Sequence, residues 1–294
     1  MLTAAGIIVC VISAPLWAQW LDYPTPGVPR LPDGKPNLFA PAPRTPDGKP
    51  DLTGIWGLSC PVGNAIVGGF AGQPNVYCAT EVAIPPEFGN IGQALKDGLP
   101  YQPWAAELVK RTRADNRPND PLTHCLPTGI VRLHVFPLFR KIVQIPGLLV
   151  ILNELNASYR QIFTDGRPQP VDPNPSWNGY SSGKWEEDTL VVETIGFRDG
   201  LWLDTGGSPL TDAARITERF RRVNYGTLRI ALTIDDPKAY TRPWTIQVTQ
   251  IIVLNTDLLD YVCLENERDV PHLLGRNRVG IEQASCSRSS RPPG

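Results

Sequence analysis

Three side chains carry the chemistry this sequence can be read to hold. In the segment from Arg215 to Val223, Ile216 and Phe220 alternate onto one face with Glu218 between them, while Arg215, Thr217, Arg219 and Arg221 take the other. In Leu148 to Glu154, alternation lets Leu148, Val150 and Leu152 carry Glu154 with them, and in Tyr159 to Thr164 it sets Arg160 beside Ile162. Gln250 falls in with Ile246, Val248, Ile252 and Leu254, and Glu265 shares a face with Tyr261 and Cys263. A carboxylate on an apolar face is costly unless it is paired. In one reading Glu154, Glu218 and Arg160 pair with each other, or with loop arginines, and lock the interior. In the other, Glu218 and Glu154 act as general acid or base with pKa values raised by burial, and Arg160 orients an anionic group. Gln250, Glu265, Tyr261 and the tryptophans Trp185 and Trp244 complete the candidate ligand-binding set, since an indole can serve as an apolar platform.

Other constellations carry less. Gly179-Tyr180-Ser181-Ser182-Gly183 matches the nucleophile-elbow pattern, with Asp204 or Asp236 and then His272 in the required order. An elbow needs a strand before it and a helix after it. Here prolines precede it and a strand hairpin follows, so a bend in a curved sheet is the better account. Glu186, Glu187, Asp188 and Glu193 read as turn and surface acids rather than a glycosidase pair. His124, His134 and His272 have no ligand spacing, so no metal is expected. No phosphate loop or dinucleotide fingerprint occurs, so no cofactor is expected.

The elements that position these groups are strands. Arg140–Ile145 and Leu148–Glu154 flank Pro146-Gly147, Tyr159–Thr164 ends at Asp165-Gly166, and Tyr180–Glu186 and Leu190–Ile195 flank Glu187-Asp188-Thr189. Arg215–Val223 and Thr227–Ile234 flank Asn224-Tyr225-Gly226, and Thr245–Leu254 and Leu258–Asn266 flank Asn255-Thr256-Asp257. Thr53 to Trp56 is a plausible earlier strand. The expected fold is mainly β: an antiparallel meander closing into a lipocalin-like barrel or strongly curved sheet, because closure removes exposed edges. Ala213, Ile216, Phe220 and Val223 also fit helical spacing, but the clean alternation of Leu228, Ile230, Leu232 and Ile234 across a tight turn favours a strand pair. One short helix is expected over residues 103–114, with Pro103 at its first position, a stripe of Trp104, Leu108 and Val109, and a Glu107–Arg111 pair.

Residues 1–18 read as a signal peptide, 19–52 as a Pro-rich arm, 53–272 as a single β-rich domain and 273–294 as a polar tail. The arm repeats a Pro-Asp-Gly turn at Pro32 and again at Pro46. Leu2 to Ala18 is uncharged, though no Lys or Arg precedes it. It falls short of the roughly 20 residues a membrane span needs. The expected location is periplasmic or extracellular, without stable membrane insertion after signal removal. A net charge of −1 with no long run of one sign shows no nucleic-acid footprint. Export makes disulfides the natural state of the cysteines. Cys60 with Cys78 would close a Gly-rich loop, Cys125 with Cys263 would tie the entry of the sheet to its end, and Cys286 is left over.

The run Gly183-Lys184-Trp185-Glu186-Glu187-Asp188-Thr189-Leu190-Val191-Val192-Glu193-Thr194 resembles a motif of a large family of exported bacterial proteins, common in soil and environmental species. So do Arg160-Gln161-Ile162-Phe163-Thr164-Asp165-Gly166-Arg167, Asp235-Asp236-Pro237-Lys238-Ala239-Tyr240 and Cys263-Leu264-Glu265-Asn266. The resemblance runs from about Pro46 to His272 and implies export and a shared fold, with no reaction attached. Glu187 stands where the family usually has Gly, and Leu210 where it frequently has His. The leading expectation is an exported barrel that binds a small, apolar or amphipathic molecule in its lumen. The alternatives are a lyase, isomerase or hydrolase using the lumen carboxylates, and a structural or interaction protein with a packed core.

Overall fold

A computed structural model of the chain describes residues 24–58, 86–115 and 119–265. The expected signal peptide, the polar tail, His272 and the Cys60–Cys78 pair lie outside the described residues.

Nine strands close into a barrel. They are β1 (Gly54–Leu58), β2 (Arg140–Ile145), β3 (Leu148–Asn153), β4 (Tyr159–Phe163), β5 (Tyr180–Glu186), β6 (Thr189–Ile195), β9 (Arg215–Asn224), β10 (Thr227–Asp235) and β11 (Trp244–Ile252); β7 (Leu201–Trp202) and β8 (Pro209–Leu210) form a separate small ribbon. Around the barrel the order is β1, β11, β10, β9, β6, β5, β4, β3, β2. The β9–β10 pair follows the alternation closely: Ile216, Glu218, Phe220, Leu228, Ile230, Leu232 and Ile234 all face a fully buried interior, and Arg219, Arg221 and Arg229 face solvent.

The barrel departs from a simple meander at three places. β4 and β5 run parallel, with Ile162 opposite Ser181, so residues 164–179 cross from one end of the barrel to the other. That pairing sets it apart from an all-antiparallel lipocalin-type barrel. The expected strand over Leu258–Asn266 is not formed in its described part, where Tyr261 makes an isolated bridge to Leu155. Asn255, at φ +56, turns the chain away after β11, and β1 takes the vacant edge, with Trp56 opposite both Ile252 and Arg140. Finally, the inward face of β3 is Leu149, Ile151 and Asn153, not Leu148, Val150 and Leu152. Every residue from Leu148 to Leu152 is apolar, so alternation leaves the phase open; pairing of Ile142 with Ile151 settles it.

Among the described residues three short α-helices accompany the barrel, the expected segment among them. α2 (Pro103–Ala114) is present with Pro103 at its start, but it buries Ala105 and Val109 and leaves Trp104 half-exposed, its Nε1 donating to the Lys238 carbonyl at 2.7 Å. α1 (Pro86–Gly89) and a 3-10 turn at Pro121–His124 are short. α3 (Ile130–His134) is buried at all five residues. Its Arg132 is held by a bidentate pair to Asp120 at 2.6 and 2.8 Å, and Asp120 also caps the 3-10 turn. Cys125 ends that turn and is disulfide-bonded to Cys263, as expected.

The hairpin turns at residues 146–147, 187–188 and 225–226 share one end of the barrel, and the Pro-rich arm crosses that end. Both Pro-Asp-Gly turns form the same small loop, with Gly34 at φ +83 and Gly48 at φ +80, a conformation that glycine adopts without strain. The second copy docks Arg44 bidentately on Asp188 at 2.9 Å. Asp188 sits in a turn whose Glu187 has φ +52, which explains why glycine would suit that position. The α3 segment enters from the opposite end and inserts His134 among the strands.

Candidate functional site

Among the described residues the lumen holds a polar cluster centred on Glu218. Its Oε1 receives hydrogen bonds from Arg160 Nη1 at 2.9 Å and from His134 Nε2 at 2.7 Å, and its Oε2 is gripped by Arg160 Nη2. Arg160 also donates to Ser181 Oγ, through Nε at 3.1 Å, and to Thr194 Oγ1 at 2.9 Å. On the far side of the imidazole, Arg140 Nη1 lies 2.7 Å from His134 Nδ1, and Arg140 Nη2 donates to the Leu133 carbonyl. Gln250 Nε2 donates to the His134 carbonyl at 3.4 Å. Every one of these side chains is buried.

The geometry fixes the protons. A guanidinium has no acceptor, so Nδ1 must accept from Arg140 and Nε2 must carry the hydrogen given to Glu218. Burial, helped by the neighbouring Arg140 charge, holds His134 down to about 4, against the pull of Glu218, so the imidazole is neutral near pH 7. For Glu218, burial alone would raise the carboxyl, but Arg160 and the His134 hydrogen bond outweigh it and bring it down to about 2. Burial also lowers Arg140 to about 9, partly offset by Glu218. At neutral pH the cluster therefore holds two guanidinium charges and one carboxylate around a neutral histidine.

This arrangement suits a lock better than proton transfer. Glu218 is a weak base, carries no proton to give near neutral pH, and has both oxygens committed. The sign of its pH linkage follows. His134 takes up a proton more readily in the unfolded chain than in the folded one, so stability present above about pH 6.5 is lost as the pH falls towards 4. The loss is about 3 kcal/mol. Glu218, with its depressed folded pKa, adds a further loss between about pH 4.5 and 2. An NMR titration of the His134 ring should show its midpoint near 4; a midpoint at or above 6.5 would contradict the neutral, buried imidazole.

The structure sorts the remaining expected site residues. Arg160, Glu218 and Gln250 come together as alternation predicts. Glu154 is buried but lies outside the lumen, because the phase of β3 is opposite to that expected. Its oxygens accept from the Phe139 and Leu259 amides at 2.9 and 3.2 Å, tying down the end of the barrel, and burial raises its pKa. Tyr261 and Glu265 are exposed on the segment after β11 and do not face the lumen. Trp244 packs edge-on against Tyr240 with ring centres 5.3 Å apart, at the end opposite Trp185. The two tryptophans cannot form one platform.

Ser181, the serine of the elbow pattern, sits in β5 bonded to Arg160 and Thr194. Gly179 before it has φ +63, and a Cβ there would meet the Ile195 carbonyl at 2.7 Å, so the glycine serves the bend. The acids of the 186–193 segment pair on the surface: Glu186 with Arg219, Asp188 with Arg44, and Glu193 with Arg215. Among the described residues no group of three metal-ligating side chains converges.

His134, Arg140 and Thr194 complete the cluster and were not expected in it. Alternation with Ile142 would have placed Arg140 inside; nothing local marks His134. A recess of about 290 Å³ opens at the hairpin end. The lumen-facing Leu149, Leu190 and half-buried Trp185 line it, with Thr164 and the second Pro-Asp-Gly turn at its rim. No protein-family model matches this chain, and neither the curated proteins nor the solved structures contain a match.

Proposed function

We propose that this is an exported barrel protein that binds a small, largely apolar molecule at the hairpin-end mouth of its lumen. The observation that carries the reading is the mouth recess, where Leu149, Leu190 and the Trp185 indole present apolar surface under the arm. At about 290 Å³ it lies just below the range of roughly 300–1,000 Å³ usual for ligand sites, which suits a small molecule. Deeper entry would require breaking the Glu218 cluster, so the ligand stops at the mouth. The Cys125–Cys263 disulfide fits an oxidising compartment and supports export. Charged outer faces such as those of Arg219, Arg221 and Arg229 are the reverse of a membrane-spanning barrel and support a protein that works in water.

The test uses the fluorescent apolar probe N-phenyl-1-naphthylamine. It should bind the wild-type protein, quench Trp185 emission, and bind about tenfold more weakly to Thr164→Trp, which fills the rim, and to Trp185→Ala. Tyr261→Ala, at the far end, should bind as wild type. Probe binding that ignores both mouth variants would overturn the assignment.

A further inference from the structure

A second recess, of about 480 Å³, lies beside the mouth where the arm crosses the seam of β1 and β11. It shares no lining residue with the first. Its walls are Ile55, Ile252 and Val253, and its charged groups are Arg222, Lys141, Asp51 and Asp257.

Arg222 is the unusual member. It is 4% exposed, and no carboxylate oxygen lies within ion-pair distance of it among the described residues. The buried Arg132 and Arg160 differ in this respect, having Asp120 and Glu218. Arg222 donates only to backbone carbonyls: Nε and Nη2 to Tyr225 at 3.2 and 2.6 Å, and Nη1 to Asp51 and Thr53 at 2.6 and 3.3 Å. The rings of Trp56 and Tyr225 lie 5.0 and 5.1 Å from its guanidinium carbon. Carbonyl dipoles and ring faces offer partial charge, and Nη2 makes one hydrogen bond for its two N–H groups among the described residues. Burial lowers its pKa to about 10, and the neighbouring Asp51 charge, beyond ion-pair distance, offsets this only in part.

An anion completes such a site. Lys141, on the rim, already pairs with Asp257 at 2.8 Å, and the Asp51 and Asp257 carboxylates in the lining disfavour a doubly charged group. The apolar walls require an apolar body. We propose that this recess binds a small monoanionic amphiphile, with its carboxylate against Arg222 and its alkyl or aryl part along Ile55, Ile252 and Val253. This is a different site from the mouth and stands independently of it.

Calorimetric titration of the full chain with octanoate and with 1-octanol at pH 7 tests the proposal. Octanoate should bind at least about tenfold more tightly than octanol. Arg222→Met should remove that preference, and Thr256→Trp, which fills the rim without touching the cation, should weaken octanoate about tenfold. Thr164→Trp at the mouth should leave octanoate unaffected. If Arg222→Met does not fold, the octanol comparison and Thr256→Trp still decide. Equal binding of octanoate and octanol, no octanoate binding, or octanoate binding lost in Thr164→Trp but kept in Thr256→Trp would each overturn it.

Discussion

Replacing Glu218 by Gln should lower the unfolding free energy by about 3–5 kcal/mol, because it leaves two buried guanidinium groups without their anion. The substitution keeps the size of the side chain, so packing around the fully buried position changes little. What changes is charge, and one amide N–H₂ group now faces Arg160, which can only donate. Urea denaturation at pH 7 reads the effect directly. A loss below about 1 kcal/mol would mean that Arg160 and Arg140 find other compensation, and the carboxylate would again be open to a chemical role. Removing a partner exposes the cost of an orphaned charge. It does not show that the pair stabilises relative to an apolar core of the same volume.

The second large effect belongs to the disulfide. Cys125 and Cys263 are 138 residues apart in sequence, so their bond closes nearly the whole barrel into one loop. Cys125→Ser with Cys263→Ser should cost about 3–5 kcal/mol, chiefly by freeing the unfolded chain. The bond also pins the segment that leads into α3, next to the Asp120–Arg132 pair that anchors the same helix. Urea denaturation of the double variant against oxidised wild type measures it, and a difference under about 1 kcal/mol would show that the closure is not limiting.

How far the sequence could be read depended on how clearly each strand separates its faces. In β9 and β10 the buried and exposed positions alternate residue by residue, so the sequence sets Glu218 among Ile216, Phe220 and Leu232, where it lies. Arg160 beside Ile162 was legible for the same reason. Leu148 to Leu152 is apolar on both faces, so the phase comes only from its partner strand, and alternation alone sends Glu154 into a lumen that it does not enter. Gly54–Leu58 has too few polar residues to announce which strands it joins. His134 lies in five buried residues with no side-chain cap, and its partner is 84 residues away, so no local pattern links the two. The parallel β4–β5 pair was hidden in the same way, since its turn-rich crossover carries no sign of direction.

Glu218 and Arg160 form one buried, hydrogen-bonded ion pair, and both proposed ligand recesses lie away from it. A double-mutant cycle tests it most directly, using the unfolding free energies of wild type, Glu218→Gln, Arg160→Met and the double variant. Strong coupling is expected, with the double variant losing at least about 2 kcal/mol less than the two single losses added together. Additive losses, within about 0.5 kcal/mol, would mean that the two side chains do not depend on each other, and would contradict the lock.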